Sequence, residues 1–262
     1  MKRQAAFPDQ DEIRLFLEHH YSQASRSTFI PDDPVSIPHR FTAKEDIEVS
    51  GFFTATISWG QRKSILRNAE SLMQLMEWEP HDFILSASPG ELKRFDRFVH
   101  RTFNAADVRV FVRAIRRIYD KHGGIETLFS DGLKAHGSMA GAIHHFREIF
   151  FSGCRVYRTF KHVSDPLKGS SCKRINMYLR WMVRSDASGV DFGIWKSIPS
   201  SSLMCPLDVH SGRVARKLGL LRRKQDDWKA VEELTNALRA FDAQDPVRFD
   251  FALFGAGVKG VL

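Results

Sequence analysis

The sequence is poor in cysteine and in what cysteine supports. Its 262 residues hold three, Cys154, Cys172 and Cys205, an odd number too small for a disulfide framework. A reducing compartment is expected. The three lie 18 and 33 positions apart, so no pair has the close spacing of a structural zinc site. H-E-x-x-H is missing, and the adjacent pairs His19-His20 and His144-His145 would face different ways on a helix. No metal site is expected. G-x-G-x-x-G, the P-loop and G-x-S-x-G are missing too, which removes the usual signatures of nucleotide binding and serine hydrolysis. No apolar run approaches the roughly 18–20 residues of a membrane span. Acids occupy the start, MKRQAAFPDQDEIRLFLEHH, where a secretory leader would be apolar. A cytoplasmic protein with no membrane partner is expected. Repeats and low-complexity tracts are also lacking.

What is present is an ordinary globular composition, 43% hydrophobic and 27% charged. That supports a sizeable core in one large domain or two lobes. The charge is basic: 39 Lys and Arg against 31 Asp and Glu, net +8. It is also clustered. Residues 147–184 hold nine Lys and Arg and two acids, and residues 211–229 hold seven and two. Clustering favours a basic face that meets phosphate over an evenly solvated surface.

Hydrophobic periodicity is mostly helical. Residues 107–121 place Val108, Phe111, Val112, Ile115, Ile118 and Tyr119 on one stripe, and Gly123-Gly124 marks a stop. Residues 171–184 align Cys172, Ile175, Leu179, Met182 and Val183. Residues 226–241 align Trp228, Val231, Leu234, Leu238 and Phe241. Residues 52–76 are apolar-periodic over a length that suits one helix or two. Two segments are irregular: 31–39, with three prolines, reads as a loop or extended arm, and 185–206 reads as a long connection. The fold class predicted is all-α.

Two short segments could carry chemistry. In Lys168-Gly169-Ser170-Ser171-Cys172-Lys173-Arg174-Ile175-Asn176, a glycine and two serines lead into an amphipathic helix. Backbone N–H groups there can hold a phosphate. Lys173 falls at the positive end of the helix dipole beside Arg174 and near Lys168, which disfavours a further positive charge and makes it a candidate nucleophile. A solvated lysine is the other reading. In residues 206–221, Val209, Val214, Leu218 and Leu221 suit a short buried helix stopped at Gly219. Asp208 stands where an N-cap belongs.

Together these segments resemble the helix-hairpin-helix DNA glycosylase superfamily. G-S-S-C-K-R-I-N, Gly169 to Asn176, is similar to that family's hairpin and lysine helix, G-x-G-x-K-x-x-N. L-D-V-H-S-G-R-V, Leu207 to Val214, is similar to its V-D-T-H-x-x-R-V. F-D-F-A-L-F-G-A-G-V at 249–258 looks like its late helix, and F-F-T-A-T-I-S-W-G-Q at 52–61 its early one. The likeness runs from about residue 45 to 258. The whole chain also looks like the DUF2400 branch, where C-K-R-x-N-x-x-L-R-W-M-V-R and P-L-D recur. The hairpin departs from L-P-G-V-G, reading Leu167-Lys168-Gly169-Ser170-Ser171 with one glycine. Lys173 and Asp208 are 35 positions apart, more than in the endonuclease III type.

The resemblance implies a two-lobed helical fold, residues 46–184 in one lobe and 1–45 plus 185–262 in the other, with a cleft between. It implies removal of a damaged base from double-stranded DNA, an oxidised purine being one guess, with abasic-site lyase chemistry as an option. Lys173 would attack the sugar C1′ and form a Schiff base, and Asp208 would stabilise the developing positive charge. Lys168, Gly169, Ser170, Ser171, Arg174, Arg180, Arg213 and Arg216 would contact DNA, mostly at phosphates. Trp59, Gln61 and Arg62 would wedge into the base stack. The four cysteines of the family's iron–sulfur cluster have no counterpart, so no cofactor is expected. A nucleoid-associated monomer follows. The alternative is a non-catalytic DNA-binding module or a basic helical scaffold of the same fold.

Overall fold

Helical periodicity resolves, among the described residues, into eleven α-helices: α1 (Gln10–Ala24), α2 (Lys44–Ile57), α3 (Arg62–Leu75), α4 (Pro80–Ser86), α5 (Ala105–His122), α6 (Ile125–His136), α7 (Met139–Phe150), α8 (Lys173–Val183), α9 (Val209–Lys217), α10 (Trp228–Arg239) and α11 (Asp250–Lys259). The only sheet among them is a two-residue hairpin, Val99–His100 with Phe103–Asn104. The computed structural model describes residues 9–24, 27–185 and 187–261. Expectations for residues 1–8 and for position 186 of the long connection lie outside them. No described helix is long and apolar enough to cross a membrane.

Local chemistry sets the helix ends. Asn104 opens α5 with a capping box: its side chain accepts from Ala106 N at 3.1 Å, and Asp107 accepts from Asn104 N at 2.9 Å. Gly123, left-handed at φ 70°, closes it. The 52–76 stretch divides into α2 and α3 at Ser58–Gln61, where Gly60 takes φ 103°.

One continuous apolar core runs through the chain. Helix α2 is buried from Ile47 to Ile57 and α8 from Ile175 to Val183, and the two pack together. Their approach is close: a Cβ on Gly51 would lie 3.1 Å from the Met182 methyl carbon. Phe52 sits at the centre, with the rings of Phe111, Phe146, Phe150 and Tyr178 within 5.6 Å. Helices α1, α9 and α11 form a second packed group. A Cβ on Gly257 of α11 would lie 2.8 Å from the His210 carbonyl of α9, so only glycine permits that crossing.

The two irregular segments differ from a solvated loop. Residues 31–39 fold into short 3₁₀ turns with Val35 and Ile37 at most 1% exposed. Among its described residues the 185–206 connection lacks helix apart from one 3₁₀ turn, yet it is anchored in the interior by Val190, Trp195, Ile198 and Leu203. It is laid onto the end of α8 by Phe192 N to Trp181 O at 2.7 Å and Trp195 N to Met182 O at 2.9 Å. Backbone hydrogen bonding to a neighbouring helix end satisfies the polar groups that regular structure would have paired. Val209, expected on a buried face, is 63% exposed, because it is the first residue of α9 and turns outward beyond the cap.

Candidate active site

Helix α8 begins at Lys173 because Cys172 takes a left-handed turn, φ 50°. The preceding loop is held in place. Asp165 caps Pro166–Lys168, Gly169 turns at φ 85°, and the Gly169 carbonyl accepts from Trp228 N at 3.1 Å. The Cys172 side chain makes no capping hydrogen bond, so α8 starts without the usual side-chain acceptor. Lys168 and Gly169 are exposed and Ser170 and Ser171 half-buried.

Asp208 is the N-cap of α9. Its Oδ1 accepts from His210 N at 2.8 Å and Ser211 N at 3.0 Å, while Ser211 Oγ accepts from Asp208 N at 3.0 Å. This work falls on one oxygen. The other, Oδ2, lies 4.0 Å from Lys173 Nζ. The two residues singled out in the sequence are therefore neighbours in space. Lys173 Nζ also lies 3.6 Å from Met177 Sδ, one turn along α8.

Both residues line an open pocket of about 790 Å³, mouth included. Ser58, Trp59, Gly60 and Arg62 reach it from the α2–α3 junction, Met177 and Arg180 from α8. Phe29, Asp33 and Pro34 reach it from the N-terminal turns, Asp250 and Phe254 from α11. Asp33 and Asp250 are 9% and 6% exposed. Burial pushes the Asp250 carboxyl up to about 6, against the pull of Arg180. Burial likewise raises Asp33, opposed by its hydrogen bond from Val35 N and by Arg180. Sequence reading passed over both, together with Phe29, Met177 and Phe254. The Asp33-Pro34 step was a usable signal for a cap, and the 249–258 likeness drew attention to the right helix.

The arginines divide sharply. Arg180, expected at DNA, is interior: 5% exposed, with Nε 3.2 Å from Asp191 and Nη1 2.5 Å from Asp250. A guanidinium so enclosed binds carboxylates of its own chain, and apolar residues around it seal it from solvent. Arg184 extends the cluster to Asp191 at 3.0 Å and Asp245 at 2.7 Å. Arg174 turns inward as well, donating to the Thr56 carbonyl and lying 4.7 Å over the Trp59 ring. Burial draws its guanidinium down to about 10. Arg216 donates to the Arg223 and Lys224 carbonyls and pairs with Asp226 at 2.6 Å, so it braces the turn after α9. Of the four arginines expected at DNA, Arg213 alone is exposed.

Of the three residues expected as a wedge, Gln61 and Arg62 are exposed at the start of α3. Trp59 is half-buried, its ring stacked on His162 at 5.7 Å. Among the described residues no group of three or more His, Cys, Asp or Glu is arranged to hold a metal ion.

Fold and site together define a helical protein with a lysine and a capping aspartate facing each other at a half-enclosed pocket. The chain belongs to the family described as "Protein of unknown function (DUF2400)", whose model matches residues 33–259. It has no match among the curated proteins and none among the solved structures.

Proposed function

We propose that the protein is a DNA base-excision glycosylase that works through Lys173, with abasic-site lyase activity following from the same covalent intermediate. The observation that carries this reading is the Lys173–Asp208 pair, 4.0 Å apart at the rim of a pocket. Segments 35 positions apart in sequence deliver an amine and a carboxylate oxygen that the cap leaves unused.

In this reading Lys173 Nζ attacks the sugar C1′ while the glycosidic bond breaks and the base departs. Asp208 Oδ2 stabilises positive charge developing on the sugar and takes a proton from the amine. Ring opening then gives the Schiff base. The nucleotide must first leave the stack, at a cost of a few kcal/mol that is least for a damaged base. The pocket's lining supports a two-lobed arrangement with the site at the junction, since it draws on both 46–184 and the remaining segments. Exposed Lys168 and Arg213 flank the pair in sequence and would meet the DNA backbone. Gln61 and Arg62 are the accessible wedge residues.

Borohydride reduction tests this directly. Wild-type protein is expected to become crosslinked to duplex DNA carrying an abasic site, and Lys173→Gln to lose the crosslink while still binding. Equal crosslinking by both proteins removes the catalytic assignment and leaves a DNA-binding module.

A further inference from the structure

Beside the stripe that builds the core, helix α5 carries another. Val110, Arg113, Ala114 and Arg117 share a face at helical spacing. They border a recess of about 670 Å³, mouth included, whose other wall comes from residues 150–156 at the end of α7 and the turn after it. That wall is fixed. Ser152 N donates to Ile149 O at 3.1 Å and Cys154 N to Phe151 O at 2.9 Å, and the Phe150 ring lies 4.8 Å from that of Phe111. No residue lines both this recess and the Lys173 pocket.

Three guanidinium groups border the recess, and among the described residues no carboxylate does. Arg117 is engaged: its Nη2 donates to the Ile149 and Phe150 carbonyls at 2.8 and 2.9 Å and so closes the end of α7. Arg113 and Arg155 are exposed, and among the described residues no carboxylate or carbonyl holds their side chains. Val110, Ala114, Phe150 and Val156 give the lining its apolar surface. We infer that this recess binds a small organic anion, a phosphate or carboxylate carried on an apolar body. The body lies against Val110, Ala114 and Phe150, and the anionic group meets Arg113 and Arg155, whose planar guanidinium groups suit a two-pronged contact with either head group. A concave, largely apolar site with a few charged groups is matched by a ligand that has both parts. Inorganic phosphate would leave the apolar wall unused, and a duplex offers phosphates with no body to enter the recess. The inference stands apart from what Lys173 does.

The recess carries its own reporter. The half-buried Cys154 thiol lines it, while Cys172 and Cys205 are 2% and 0% exposed. Alkylation of the folded full-length protein by uncharged iodoacetamide, mapped by mass spectrometry, therefore reads this place. The probes are 1-naphthyl phosphate and 1-naphthoate, set against 1-naphthol, inorganic phosphate and duplex DNA. At about 2 mM, at least one naphthyl anion is expected to slow Cys154 labelling roughly fivefold, as occupancy with a Kd of about 0.4 mM gives. The one that protects more names the head group. The naphthol, the inorganic ion and the duplex should each change the rate by less than about twofold. Arg113→Glu and Arg155→Glu, at exposed positions, should keep the thermal midpoint and lose most of the protection; Arg113→Gln and Arg155→Gln serve if charge reversal disturbs folding. No protection by either naphthyl anion overturns the inference. Equal protection by 1-naphthol leaves only an apolar hole, and equal protection by inorganic phosphate only a place for any anion; each overturns it. Protection by the duplex assigns the recess to a DNA-facing surface instead. Folded arginine variants that remain fully protected overturn the role of Arg113 and Arg155.

Discussion

Asp208 caps α9 with one oxygen and faces Lys173 with the other, and substitutions can separate the cap from the proposed catalytic role. Asp208→Asn retains an oxygen to cap His210 N and Ser211 N but removes the charge facing Lys173. It is expected to unfold within about 0.5 kcal/mol of wild type and to release base far more slowly. Asp208→Ala loses the cap as well, and about 0.5–2 kcal/mol of stability with it. Urea unfolding and single-turnover excision on the same preparations check both; equal excision by wild type and Asp208→Asn would leave Asp208 as a cap only. His162 offers a second residue-scale expectation. It is 3% exposed, stacked on Trp59 and 3.6 Å from Asp107. Burial holds its imidazole well below the ordinary range, despite Asp107. Because the unfolded chain takes up that proton at a higher pH than the folded one, stability is lost as pH falls below about 6.5. Asp250 acts in the opposite sense: its raised carboxyl keeps a proton that the unfolded chain has given up, so its ionisation costs stability as pH rises toward about 6. The comparison that isolates His162 is therefore a difference: the thermal midpoint of His162→Gln should fall less than that of wild type between pH 7.5 and 5.5. Asp208 was legible in the sequence because an N-cap has a local signature. Asp33 carries a cap signature in Asp33-Pro34 but no local sign of its enclosure, and Asp250, ahead of an apolar helix, looks like any solvated carboxylate until the fold encloses it.

At the scale of the element, α8 explains why charge counting along the chain misleads. Its amphipathic stripe was readable from spacing, and the helix forms within two residues of the expected limits. What spacing did not show is that the polar face is buried too. Arg180 and Arg184 are enclosed by Asp191 of the long connection, Asp245 and Asp250, with Phe251 4.2 Å below the Arg180 guanidinium. The partners lie 7 to 70 positions away and outside the helix, beyond the reach of its own periodicity. This cluster attaches α8 to α11 and so sets the position of Lys173 against the rest of the pocket. Removing one partner leaves opposite charge buried. Arg180→Ala should cost about 3–5 kcal/mol in denaturant unfolding. Arg213→Glu, on an exposed face of α9, should leave unfolding unchanged and weaken DNA binding. If the Arg180 variant is as stable as wild type, the cluster is not what joins the two helices.

For the whole molecule, the same burial limits how strongly a basic chain can hold DNA. The two basic stretches hold sixteen cationic side chains, nine in 147–184 and seven in 211–229. Arg147, Arg158, Arg174, Arg180 and Arg184 in the first are engaged with carboxylates or carbonyls of the protein. Arg216 and Arg223 in the second pair with Asp226 and Asp227. The exposed remainder, Arg155, Lys161, Lys168, Arg213, Lys217, Arg222, Lys224 and Lys229, is spread over several elements, and only part of it is expected on one duplex. Affinity for duplex DNA should therefore fall with salt along a slope set by about four or five phosphates. At roughly −0.9 per phosphate this is about −4 in log K against log salt, far from the value sixteen free cations would give. Arg213→Glu and Lys168→Glu should each flatten the slope by about one contact, and they should do so equally for abasic and intact duplexes, because backbone contacts carry no information about the base. Arg174→Gln should not change the slope, since its guanidinium is held against Trp59 and the Thr56 carbonyl. Fluorescence anisotropy titrations between low and physiological salt read these slopes. A flat titration would take DNA away as the partner, and a slope that falls with Arg174→Gln would mean that Arg174 swings out to the backbone when DNA binds.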